Sequence, residues 1–303
     1  MAIEPAVRNK WLTRIGYVFL AFFSFSYFVY LGFPFERVLP RMLAGVEKDS
    51  GVKIEAATVR AGWFFSLVAT DVKVFTGGRR GGEEPQPTLR LDKVSVSPKL
   101  FSLLTGKLGA KIDALVLGGR IHGTVMTSKS ANTVDLTVAG LEIGKIPTLV
   151  NFGVNASGQV GGTVKLNLDP QDGTKAVGKI DLQVKSPRIA ESNLILVKIP
   201  DTVFDKGGAA IIEIKDGKAD LIDVGLHGED LDLSVEGEIL LKKRIASSQW
   251  SAKSMVRASD AWKSKVPGFD AIVGPGKQPD GSYRYRIAGV VGGFPRTIPD
   301  RSR

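Results

Sequence analysis

The chain has 303 residues, 41 Lys+Arg against 31 Asp+Glu for a net charge of +10, 35 Gly and no Cys. The lack of Cys excludes a disulfide framework, a thiolate metal site and a Cys nucleophile together. The positive charge admits nucleic acid, anionic lipid or cell-surface polymer as partners. However, the densest basic groups, Lys242-Lys243-Arg244 and Arg79-Arg80, carry no interleaved aromatics for base stacking, so no nucleic-acid partner is expected.

From Ile15 to Phe35 no residue is charged. A transmembrane helix needs about 20 mostly apolar residues to cross roughly 30 Å of hydrocarbon, and the run 15–33 meets that length. Tyr17 and Tyr30 stand near its two ends, where interfacial aromatics belong. Pro34 stops the helix by removing a donor and clashing with the preceding turn. A cleaved signal peptide has an apolar core of about 7–15 residues and a small-residue cleavage site; this run is longer and no A-x-A pattern follows it. The flanking cations nearly tie, with Arg8, Lys10 and Arg14 before the run and Arg37, Arg41 and Lys48 after it. The expected organisation is a short inside tail at 1–14, a transmembrane helix at 15–33 and an exported domain at 34–303.

Val38, Leu39, Met42, Leu43 and Val46 recur at helical spacing between Pro34 and Ser50, predicting one or two short helical turns. The period then changes from 3.6 to 2. Val52, Ile54 and Ala56 share one strand face, and Val68, Val72 and Val74 follow with a slip expected near Ala69-Thr70. The segment 77–87 is a loop by composition. Leu89, Leu91, Val94 and Val96 make the next strand, and the offset between Leu91 and Val94 predicts a bulge. A short amphipathic helix is expected between Pro98 and Lys107, then two strands broken at Gly118-Gly119.

The cleanest alternations are Val134/Leu136/Val138, Val164/Leu166/Leu168 and Ile180/Leu182/Val184. Ile212 and Ile214 precede Asp216-Gly217, a strong hairpin signal. Leu221, Val224 and Leu226 follow, then Leu231, Leu233, Val235, Ile239 and Leu241. Short helical inserts are expected at Gly144–Val150 and Ser259–Lys265, and a loose basic tail at the C-terminus. Alternation gives one apolar and one wet face. With few helices to cover the apolar face, the sheet must curl, pair with another sheet or bind something apolar. The predicted class is mainly β: one N-terminal transmembrane helix, then a curved antiparallel sheet, groove or sandwich, with a few short helices.

His122 and His227 stand far apart, with no H-E-x-x-H spacing around either. Asn155 to Gly162 is not a G-x-S-x-G elbow and reads as a turn entering a strand. Glu229, Asp230 and Asp232 read as solvated carboxylates beside a turn. Asp169 to Gly173 lacks the ligand ladder and closing Glu of a calcium loop and reads as a hairpin turn. No catalytic, cofactor-binding or metal-binding residue is assigned, and no enzyme activity is expected.

The order of parts carries a resemblance. "LRLDKVSVSPKLFSLLTGK" and "ALVLGGRIHGTV", after the apolar run, give L-x-L-x-x-V-x-V-x-P-x-L, a Leu-rich turn ending in Gly-Lys, and L-x-G-G-x-I-x-G. Over residues 11–126 this resembles general secretion pathway protein N in its delta-proteobacterial form, and more loosely AsmA-like proteins. The resemblance implies a single-pass protein of the bacterial inner membrane with a cytoplasmic tail and a periplasmic β-rich domain. It implies an accessory role in type II protein secretion with other secretion subunits as partners. It also implies kinship with groove-shaped carriers of membrane lipid. No functional residues carry over.

Overall fold

The computed structural model describes residues 16, 17, 20, 21, 23–30, 32, 52–76, 88–103, 106–151, 153–194, 197–291 and 296–300. The helical turns expected between Pro34 and Ser50 and the loop at 77–87 lie outside them. Parts of the run 15–33 do as well; within it residues 23–30 are helical. Among the described residues no helix is long and apolar enough to cross a membrane.

The domain is mainly β. Its strands are β1 Val52–Ala61, β2 Leu67–Thr76, β3 Leu89–Pro98, β4 Leu108–Val116, β5 Gly119–Thr127, β6 Asn132–Glu142, β7 Ala156–Leu168, β8 Val177–Ile189, β9 Ser192–Leu194, β10 Val197–Ile199, β11 Thr202–Val203, β12 Gly208–Lys215, β13 Lys218–Leu226, β14 Leu231–Leu240, β15 Gln249–Ala258, β16 Tyr283–Ala288 and β17 Arg296–Pro299. One 15-stranded sheet holds all but β9 and β10, in the order β1 to β8, then β12 to β17, with β11 appended to β8. Every pairing is antiparallel, and β9 and β10 form a separate ribbon.

The register joins the alternations into continuous rows. Leu136 pairs Val164, which pairs Ile180, then Ile212, Leu221, Gly237, Ala252 and Ile287. In the other direction Leu136 pairs Gly123, then Ile112, Val96, Leu67 and Ala61. Side chains alternate across a strand, so the next row belongs to the opposite face. There Asp135 pairs Lys165, then Lys179 and Glu213. The sheet thus has one apolar face from edge to edge and one charged face.

Two local devices keep the apolar residues on one side. The pairing shifts between Leu91 and Lys93, the bulge expected from the Leu91–Val94 offset. The slip in β2 falls at Asp71, whose φ is 47°, and not at Ala69-Thr70. Leu67 and Ala69 therefore join the apolar face, while Val68 pairs Ser95 on the charged one. The expected hairpin at Asp216-Gly217 is present, with φ of 51° and 75° at its two turn residues. The β4–β5 turn is Leu117-Gly118, one residue earlier than the Gly pair suggests.

The helical inserts occur as Ile143–Lys145 with Pro147–Asn151, and as Asp260–Ser264. The Leu-rich turn holds one helical turn, Leu100–Leu103. A further helix, Phe269–Val273, was not legible. Where the C-terminal segment is described, it is not loose: β17 pairs β16, and Asp300 is buried with its carboxylate 2.6 Å from Lys253 and 3.5 Å from Arg286. A four-residue strand carrying Pro and Arg has too little alternation to announce itself.

Candidate functional site

Antiparallel order puts the turns alternately at two ends of the sheet, and the ends differ. At the distal end, β8, β13, β14 and β15 meet the segment from Ser259 to Phe269. Ser259 caps the short helix by accepting from Trp262 N at 3.1 Å. Trp262 is 4% exposed and packs with Phe204, Leu231 and Val266. Its Nε1 donates to Thr202 Oγ1 at 2.7 Å, which satisfies a donor that burial would otherwise strand. Leu226, Leu233, Val256 and Ala258 of the apolar face pack against this cluster. Phe269 continues it edge-on to the ring of Tyr283, whose hydroxyl donates to Asp270. Burial, reinforced by that carboxylate, pushes the Tyr283 hydroxyl up to about 12.

Away from the cluster the apolar face is unevenly covered: Val72, Ala114, Val116, Val138 and Leu221 on it are buried, whereas the middle of the central row is less so among the described residues. Leu136, Val164, Ile180 and Ile212 lie on the central row, yet all remain half-buried. The face is bounded by two sheet edges, β1 and β17, which do not pair with each other. It is a strip of apolar side chains plugged at one end and half-buried along its middle.

At the other end the β1–β2 turn Trp63–Phe65 meets helical residues 23–30. Phe65 packs against Phe23, Tyr27 and Tyr30, with ring centroids 5.7, 5.7 and 5.1 Å away. Phe23, Tyr27 and Tyr30 stand three and four residues apart, on one helical face. Phe25, Phe28 and Val29, on the other face, are exposed at 68%, 71% and 52%.

The charged face carries an open basin of ≈ 470 Å³ over β2 to β5. Lys93, Ser95, Ser97 and Lys111 line it, and Arg120 grips Asp113 through two hydrogen bonds. Those bonds hold the Asp113 carboxyl below the usual range. His122 sits beside Asp113 in the register, within β5.

His227 follows β13 instead of lying within a strand. Its Nδ1 is 3.0 Å from Asp232 and its Nε2 3.1 Å from Asp223. The hydrogen bond to Asp232, more than that to Asp223, raises its pKa above 6.5 against the opposing effect of burial. Asp232 is therefore engaged and not merely solvated, and Asp230 accepts from Ser259 Oγ at 2.9 Å. Asp169 accepts from the N–H groups of Gln171 and Asp172 in the β7–β8 connection. Among the described residues no group of three or more His, Cys, Asp or Glu is placed to hold a metal ion. Ser157 lies inside β7. Comparison of the chain with known protein families, curated proteins and solved structures finds no match.

Proposed function

We propose that the chain is a membrane-tethered lipid-binding module whose apolar sheet face holds acyl chains, without covalent chemistry. One observation carries this reading: the central row runs pair by pair from Ala61 to Ile287, yet Leu136, Val164, Ile180 and Ile212 in its middle stay half-buried. A second layer of protein would bury these side chains fully; an apolar strip left half-buried calls for an apolar occupant. The tether is the run 15–33, with the 34–303 domain in the periplasm, as the resemblance implies. The test is photolabelling of the full chain in membranes with a phospholipid bearing a diazirine in its acyl chain. Labelled peptides should include 134–138, 164–168 and 180–184. Labelling confined to 15–33 rejects the reading.

A second reading, the accessory scaffold of type II secretion, is favoured by the two sheet edges. An unpaired edge strand is a template for a strand of another protein. Crosslinkers placed along β17 should then capture other secretion subunits in membranes of the source cell; capture of none of them rejects it.

A further inference from the structure

The β1–β2 turn is apolar and built to leave water. Ala61 to Thr70 contains no charged residue, and Trp63 at its tip is 76% exposed. Part of the polar backbone of this tip is satisfied from within. Gly62 N donates to Ser66 O at 2.5 Å and Ser66 N to Trp63 O at 3.1 Å. Ser66 Oγ also donates to Trp63 O, at 2.6 Å. The Tyr30 hydroxyl adds to these, donating to Ser66 O and accepting from Gly62 N. Each backbone group satisfied internally lowers the cost of placing chain in hydrocarbon.

The depth follows from the contacts with helical residues 23–30. At about 1.5 Å rise per residue, Phe23 and Tyr30 stand roughly 10 Å apart along the helix axis. Phe65 touches both. The next tip on the same end, between β3 and β4, exposes Leu100 at 43% and Leu108 at 64%, with Lys99 and Lys107 beside them. Arg60 is exposed on β1 just before the uncharged stretch. An apolar tip collared by cations matches an anionic bilayer surface.

We infer that the Trp63–Phe65 turn inserts into the outer leaflet alongside the span, with Leu100 and Leu108 resting at the headgroups, so that the apolar face begins inside the lipid. This rests on the reading of 15–33 as the membrane span. The occupant is the bilayer itself.

Because the chain has no Cys, single-Cys variants Trp63→Cys, Leu108→Cys and Val150→Cys each carry one thiol. Val150 is 57% exposed at the distal end. The full-length variants are labelled with bimane and reconstituted into vesicles of phosphatidylethanolamine and phosphatidylglycerol containing doxyl-labelled lipid, with sheet content verified by circular dichroism. Insertion predicts that all float with the vesicles, that emission at positions 63 and 108 is blue-shifted and quenched by doxyl lipid, and that position 150 is quenched only by aqueous iodide. Flotation with positions 63 and 108 quenched by iodide, like 150, overturns the insertion while leaving the span intact. Failure to float overturns both.

Discussion

His227 is held between two carboxylates, and its neutral ring can donate to only one of them. Its folded pKa is raised above 6.5, so the stabilisation is full below about pH 6.5 and is lost as pH rises through the folded value. His227→Gln is expected to abolish that pH dependence and to cost roughly 1 kcal/mol at pH 6. Urea unfolding at pH 6 and pH 8.5 checks both. Leu233 packs against the Trp262 cluster from the apolar face. Leu233→Asp puts an unpaired carboxylate there and should cost on the order of 3 kcal/mol; an unchanged melting temperature would contradict the assignment of the face. The pattern of Leu231, Leu233 and Val235 showed that Leu233 faces inward. It could not show that Trp262 and Phe204 would be what it meets, because that contact joins residues about 30 positions apart.

At the scale of the element, the sheet depends on close approach at its glycines and on its last strand. A Cβ at Gly162 would stand 2.0 Å from the Asp181 carbonyl oxygen, with φ at 148°. Gly162→Ala must displace β8 or β7 and should cost about 1–3 kcal/mol, read as a lower melting temperature with circular dichroism still strand-like. β17 stays docked through Asp300, which is 3% exposed. Asp300→Asn removes the charge that faces Lys253 and Arg286. It should cost about 1.5 kcal/mol and speed amide hydrogen exchange in β16 before the rest of the sheet. The middle strands were legible because each alternates cleanly. β17, the Phe269–Val273 helix and the ribbon β9–β10 were not, since each is too short to show a period and is held by partners distant in sequence.

At the scale of the molecule, the domain is a meander whose strands nearly all pair with their sequence neighbours, hung beside an aromatic helix. Phe23→Arg sets a charge in the middle of the run 15–33 and against the ring of Phe65. Its insertion cost should be about 2.5–3.5 kcal/mol. Alkaline extraction should release a larger share of the variant than of the parent chain; a variant that stays fully membrane-integral contradicts the span. Sidedness turns on a near-tie of flanking cations, and a C-terminal reporter active only in the periplasm is the expected outcome.

By itself the sequence determined the class of fold and the existence of two unlike faces, because strand periodicity, turn residues and bulge offsets are local properties. It also determined that thiol chemistry is absent, since that is a matter of composition. Tertiary structure decided which end of the sheet is plugged by Trp262, where the register slips at Asp71, and that Phe65 lies against Phe23 and Tyr30. Those facts depend on which distant segments meet, and burial and register across the whole sheet, not any local pattern, choose the partners.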